Sequence, residues 1–282
     1  MNDFNQNNCK TKPFLKYIFG VVLVSFALMS CSGLSQDQVE AKSGSKPSKD
    51  GWKLKFSNDP NTPWQNNWFL DGRIGKVTNT SKGLKIEAGP EAKNDAHHLV
   101  LWTKQEFAGD IKIEYDFTKI DDEHKMVNIL YIQATGIGDA NQDILSWAEE
   151  RQIPSMRSYF NRMKLLHISY AAYGQTNENP NEDYVRARAY PVHSELGFKG
   201  MEVPPSYYNT GLFKKDVVYK IEVEKTLDLL SFSVRPKDQD RSKTKVFTWA
   251  IPKRGQVDFG RVGLRHMYTR QAIYNNFKVY TR

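Results

Sequence analysis

The segment Ile111-Lys-Ile-Glu-Tyr-Asp-Phe117 alternates without a slip between apolar and polar side chains. A period of two sends successive side chains to opposite faces of an extended strand, so this stretch has one face for a core and one for water. That is how strands of an antiparallel sheet read. Similar short runs recur at 52–56, 76–79, 84–88, 98–103, 112–118, 127–133, 164–170, 184–190, 217–224, 229–234 and 244–250, most of them bounded by Gly, Pro, Asn or Asp, and a closing pair lies within Arg261–Tyr280. Many short strands at such spacing predict one all-β sandwich. One stretch breaks the pattern: Asp143–Met163 carries Ile144, Trp147 and Ala148, then Met156, Tyr159 and Phe160, with Pro154 between. It predicts two short helices between strands, and such an excursion in a β protein commonly walls or covers a cleft.

Upstream of the strands the composition changes twice. Lys10, Lys12 and Lys16 precede an apolar run, Tyr17–Met29, that is too short to span a membrane comfortably, and Leu28-Met29-Ser30-Cys31 follows. Basic, apolar and small residues in that order make residues 1–30 a secretory signal. The Leu-Met-Ser-Cys ending resembles a bacterial lipobox. That resemblance implies cleavage before Cys31, lipidation of its sulfur and new amino group, and, with Ser32 beside it instead of Asp, lodging in the outer membrane. Residues 31–50 are Ser, Gly, Gln, Lys and Asp with few bulky apolar side chains, which reads as a flexible tether. The domain then runs from 51 to 282. With Cys9 removed and Cys31 lipidated, no thiol is left for a disulfide, a zinc cluster or a nucleophile.

Charge points to the partner. Removal of Lys10, Lys12, Lys16 and Asp3 takes the chain from 40 basic and 32 acidic side chains to 37 and 31, net +6, which favours an acidic ligand. No long Lys/Arg run of the kind that tracks phosphates is present, so nucleic acid is not the expected partner. The 12% of aromatic residues supplies rings beyond the needs of a core, and flat rings stack on sugars.

Polar side chains that share a strand face are the candidates for chemistry. On Tyr184–Tyr190, Arg186 and Arg188 alternate with Val185, Ala187 and Ala189 and sit between the two tyrosines, so forked donors line one face and could grip carboxylate or sulfate oxygens. On Lys164–Tyr170, His167 shares a face with Ser169. On the closing stretch, Val262, Leu264, His266, Tyr268 and Arg270 share a parity that begins apolar and ends with an imidazole, a phenol and a cation. His98 has the parity of Trp102 and Lys104. Asp121-Asp122-Glu123 offers the oxygens a structural calcium uses, but no loop with further ligands accompanies it; it reads as a solvated turn, and no cofactor is expected.

Several segments together carry a family likeness: Ala96-His-His-Leu-Val-Leu-Trp102 leading to Phe107-Ala-Gly-Asp-Ile111, Leu165–Tyr170, Val262-Gly-Leu-Arg-His266, and Tyr274-Asn-Asn-Phe277. They resemble the YesU-type family of concanavalin-A-like jelly rolls over roughly Trp52–Arg282, with a looser similarity to the oligosaccharide dehydratases of ulvan-degrading bacteria. The resemblance implies a concanavalin-A-like jelly-roll sandwich of two antiparallel sheets. It also implies a setting in the breakdown of acidic plant or algal polysaccharides.

Mechanism narrows the choice. Hydrolysis needs two carboxylates flanking the scissile bond, and the nearest approach, Glu114-Tyr-Asp116, lies on the wet face of its strand. Elimination beside a uronic carboxylate needs a cation to neutralise the acid, a base for the ring proton and a donor for the leaving oxygen. The residues above offer all three, so the sequence reads as a lyase or dehydratase of uronate-containing oligosaccharides, sulfated ones included. His167 and His266 are assigned base and acid with Tyr268 assisting; Arg186, Arg188 and Arg270 the acidic group, with Tyr190 and His98 lining the site; and Trp102 the sugar ring. The alternatives are a surface lectin with the same face and no turnover, or a glycoside hydrolase.

Overall fold

The structure is a computed structural model and describes residues 50–173 and 182–282. The signal, Cys31 and nearly all of the tether lie outside the described residues. The expected sandwich is present as two antiparallel sheets. The front sheet has seven strands, running from edge to edge as β10 (Glu202–Tyr208), β9 (Tyr184–Tyr190), β8 (Met163–Tyr173), β7 (Met126–Gly136), β14 (Phe259–His266), β5 (Leu99–Ala108) and β2 (Trp68–Asp71). The back sheet has eight, with β13 (Lys245–Ala250), β12 (Leu229–Pro236), β11 (Val218–Lys225), β6 (Ile111–Lys119), β15 (Gln271–Thr281), β4 (Gly83–Glu87) and β3 (Lys76–Thr80) in order and β1 (Lys53–Ser57) added to β15.

The alternation of β6 is realised as read. Ile111, Ile113, Tyr115 and Phe117 face inward and are buried, and each such side chain contributes about 1.5–3 kcal/mol by leaving water. They meet Leu130, Ile132, Leu166, Ile168, Val262 and Leu264 from the front sheet in the main core. Phe117 packs edge-on against Tyr170 and Tyr274 with ring centroids 5.1 and 5.4 Å away, an arrangement that the charge distribution of aromatic rings favours.

Three expectations are corrected. The closing pair is not a pair: β14 lies between β7 and β5 in the front sheet, while β15 lies between β6 and β4 in the back, so the turn 267–270 crosses from one layer to the other. Strand β10 was not foreseen, because Pro204 and Pro205 interrupt it; at a sheet edge the missing N–H groups cost no ladder bond, and the register shifts around them. Trp68–Asp71, which falls between the expected runs at 52–56 and 76–79, is also a strand, β2.

The interruption is two short helical pieces, a 3-10 segment over Ile144–Arg151 and α1 over Met156–Arg162. Asp143 caps the first by accepting from the Leu145 N–H. Their apolar side chains join a second cluster with Trp102, Tyr131, Leu165 and Tyr190 on the outer face of the front sheet. The insertion therefore covers that face, as a wall would.

Candidate functional site

The outer face of the front sheet carries one row of side chains across adjacent strands. Register pairs Trp102 with Gly263, Gly263 with Tyr131, Tyr131 with His167, His167 with Arg188, and Arg188 with Glu202. Gly263 is what lets the row close up, since a Cβ there would stand 2.5 Å from the Trp102 ring. In its absence Trp102 lies over β14 and stacks on Tyr131, centroids 5.4 Å apart and planes 13° from parallel. Tyr159 of α1 completes the stack at 6.0 Å from Tyr131.

Asp71 braces this end. Its Oδ2 accepts from Arg151 Nε at 2.6 Å, Trp102 Nε1 at 2.8 Å and the Tyr159 hydroxyl at 2.9 Å, joining β2, β5 and both helical pieces. Trp102 is thus fully buried, and its indole holds the insertion down instead of offering a free face to a sugar. This corrects the role assigned to it, and the reason is that α1 supplies the ring that stacks there.

His167 stands at the middle of the row. Its Nδ1 is 3.0 Å from the Tyr190 hydroxyl and its Nε2 is 2.6 Å from Ser169 Oγ. Burial, and then the guanidinium groups of Arg188, Arg265 and Arg186, hold the imidazole well below its usual pKa, so it is neutral. Burial and Tyr131 push the Tyr190 phenol well above its usual value, so it keeps its proton. Arg188 points the same way and is the exposed member, with 20% of its side chain accessible and Nη2 3.8 Å from Glu202. Its buried Nε makes no hydrogen bond among the described residues. Arg186 donates to Ser206 Oγ at 2.8 Å and the Tyr208 hydroxyl at 3.1 Å, and lies 4.7 Å over the Tyr184 ring.

Arg265 links this group to His98. It is fully buried, has no carboxylate partner among the described residues, donates to the Pro154 carbonyl at 2.6 Å, and sits 3.0 Å from His98 Nδ1 and 4.7 Å over Tyr159. Burial and Arg265 bring the His98 pKa down to about 3, and Tyr268 stacks on its ring at 5.3 Å. The sequence reading did not single out Arg265 or Tyr131. Parity was the available signal: Arg265 falls between Leu264 and His266 and so faces away from the core, and Tyr131 has the parity opposite to Leu130.

The structure therefore brings His167, Arg186, Arg188 and Tyr190 together, and reaches His98, Trp102 and Tyr268 through Arg265 and Tyr131. It does not bring in His266 or Arg270. His266 has the parity of Val262 and Leu264 and lies inside the sandwich, where its Nε2 is 3.0 Å from the Tyr274 hydroxyl and its Nδ1 is 3.2 Å from the Arg270 carbonyl. Tyr268 leaves that parity because β14 ends at His266 and the turn, with Thr269 at φ 66°, swings it outward. Arg270 returns inward to Asp121, Nε to Oδ2 3.3 Å, and Lys119 Nζ is 3.0 Å from Asp121 Oδ1. The base-and-acid pair of His167 and His266 is not assembled, because the two lie on opposite faces of one sheet. Asp121 is likewise not part of a solvated turn: it is buried and serves two buried cations.

Cys31 lies outside the described residues, and among those described no three His, Cys, Asp or Glu side chains are gathered as metal ligands would be.

No curated protein matches the chain. Among solved structures, a protein of unknown function with a galectin-like fold from Bacillus subtilis is 17% identical with a TM-score of 0.61, over 82% of this chain and 99% of that one. Lectin II from Ulex europaeus is 8% identical with a TM-score of 0.50, over 80% and 98% of the two chains. Peanut lectin is 11% identical with a TM-score of 0.51, over 80% and 95%. At these identities the likeness is one of fold, a lectin-like jelly roll. A family described as a domain of unknown function matches residues 55–279, which take in nearly all of both sheets, and the chain belongs to that family, DUF1961.

Proposed function

We propose that the outer face of the front sheet binds uronate-bearing oligosaccharides and cleaves or dehydrates them by β-elimination. One observation carries this reading: a neutral imidazole, His167, is hydrogen-bonded at 3.0 Å to a protonated phenol, Tyr190, with the Arg188 guanidinium beside them in register. Arg188 neutralises the uronate carboxylate, which acidifies the adjacent ring C–H. His167 takes that proton, the carbon–oxygen bond to the leaving group breaks, and the electron pair of the C–H bond becomes the new double bond. Tyr190 protonates the departing oxygen, and the imidazolium returns its proton to the phenolate along their hydrogen bond. Tyr190 takes the acid's part that the sequence reading assigned to His266. Phe198, 59% exposed and 4.8 Å from Phe160, whose ring in turn lies 6.5 Å from that of Tyr190, offers a ring for a sugar to stack on.

The basic lining fits the excess of cations in the sequence, and a lectin-like fold is a common host for sugar sites. The likeness to YesU-type proteins and to ulvan oligosaccharide dehydratases names the substrates to try first. Anchoring through a lipid on Cys31 in the outer membrane is part of the same reading, and Cys31→Ser moves the protein to the soluble fraction if it holds.

The test mixes the domain with ulvan, pectin and alginate fragments and follows the ultraviolet absorbance of a conjugated unsaturated uronate. Growth of that signal, lost in His167→Ala and Tyr190→Phe, is the expected result. New reducing ends without it mean hydrolysis, and retention on the glycan without either means a binding protein; each overturns elimination.

A further inference from the structure

We infer that the outer face of the back sheet, on the other side of the sandwich, is a second binding surface for an extended acidic polysaccharide strand. Three depressions of about 430, 320 and 220 Å³ lie on it. They are continuous: the first two share Asp116 and Lys237, and the second and third share Lys220 and Arg235. The furrow so formed crosses β12, β11, β6 and β15, and at about 4.8 Å per strand this makes about 15 Å, long enough for an oligosaccharide segment.

Its walls are cationic on balance. Lys82, Lys220, Arg235, Lys237, Arg241 and Lys278 line it against Glu114, Asp116, Asp216 and Glu222. Asp116 is already engaged, since its Oδ2 accepts from Lys237 Nζ and Asn276 Nδ2, both at 2.7 Å. Lys82, Lys220, Lys278 and Arg241 have no ion-pair partner among the described residues, so their charge is available to a ligand. Lys220 stands in register between Arg235 and Asp116, and Lys278 beside Glu114, which spaces the cations along the furrow instead of massing them at one point.

The floor suits a sugar as well as a charge. Val218, Thr118 and Ile273 are register neighbours on three strands and floor the first depression, an apolar strip for the C–H face of a ring with donors and acceptors on either side. A compact anion would need convergent donors, which this open furrow lacks; a chain with acidic groups at intervals matches its spread-out cations. The inference shares with the proposed function only the class of ligand, and it stands on different residues.

The experiment titrates the protein with polygalacturonate, dextran sulfate and neutral dextran. Binding to one or both acidic polymers and not to dextran is expected, and the polymer that binds tells carboxylate from sulfate recognition. In the double variant Lys220→Gln, Lys278→Gln, binding weakens about tenfold while the melting temperature and the turnover of a short oligosaccharide are unchanged. Arg188→Ala, on the opposite face, removes at most a front-face share of the polygalacturonate binding and keeps the share that the double variant weakens. Equal binding by the double variant, loss of all polymer binding in Arg188→Ala, or no binding of either acidic polymer overturns the inference.

Discussion

Two histidine–tyrosine pairs in this protein look alike at close range and differ in everything around them. His167 and Tyr190 are 3.0 Å apart, as are His266 and Tyr274; all four side chains are buried, and both imidazoles are held neutral by desolvation. His167 faces outward from the front sheet, among Arg186, Arg188 and Arg265, one residue from a partly exposed guanidinium. His266 faces the back sheet, where Tyr274 passes its hydrogen bond to Tyr170 at 3.1 Å and Arg270 is tied to Asp121. In the proposed reading the first pair serves a ligand, whereas the second pins a turn. The surrounding charge and the partly exposed Arg188 beside one pair, more than the hydrogen bond itself, distinguish the two.

The sharpest way to break that contrast is to remove each pair in turn. His167→Ala lowers the turnover of the folded protein by about 10²–10⁴-fold, the scale for losing a positioned acid–base group, on top of the stability lost by emptying a buried site. His266→Ala instead lowers the denaturation midpoint while the surviving folded protein keeps its rate. Activity lost in His266→Ala at an unchanged melting temperature would reverse the assignment.

The next largest effect is on the inner network. Asp121→Asn leaves Lys119 and Arg270 buried without their anion and costs about 3–5 kcal/mol in urea unfolding. A loss below about 1 kcal/mol would mean that water already serves those cations.

Acid sharpens the comparison, because both pairs titrate in the same sense. The His266 pKa is lowered to about 4, mainly by burial, against an ordinary value of 6.5. Below 6.5 the unfolded chain takes up a proton that the fold refuses, so stability is full above that pH and falls as pH drops toward about 4. His98, lowered to about 3, and His167 add to the same slope. Unfolding free energy measured at pH 7 and pH 5 should differ by roughly 2 kcal/mol for each such histidine, and His266→Gln should flatten the curve. A curve as steep in His266→Gln as in the parent protein would exclude His266 as a contributor.

The smallest effect concerns the brace. Trp102→Phe removes one of three donors to Asp71 and costs about 1–2 kcal/mol, with affinity for oligosaccharide unchanged. A large loss of affinity at normal stability would return Trp102 to the sugar-stacking role.

Much of this architecture is legible in one dimension. The alternation of β6 named its buried face, the apolar–basic alternation of Tyr184–Tyr190 put both arginines together, and His167 was placed beside Ser169, which is where it is. Asp71 and Tyr159 were not legible as partners, since 88 residues separate them and only the docking of α1 brings the phenol to the carboxylate. The closing stretch misled for a related reason. Its parity is true as far as His266, but the turn that follows changes layers, so Tyr268 and Arg270 part company.

Residue order alone determined the strand runs, the helical excursion and which side chains on any one strand look the same way, because a pleat sends neighbours to opposite faces whatever surrounds it. Which faces of different strands look toward one another was decided only in three dimensions. Register shifts within β7, β8 and β14 reset the count between strands, and pairing partners come from distant parts of the chain. That is why two histidines of equal promise in the sequence end on opposite sides of one sheet, one against the basic face and one inside the sandwich.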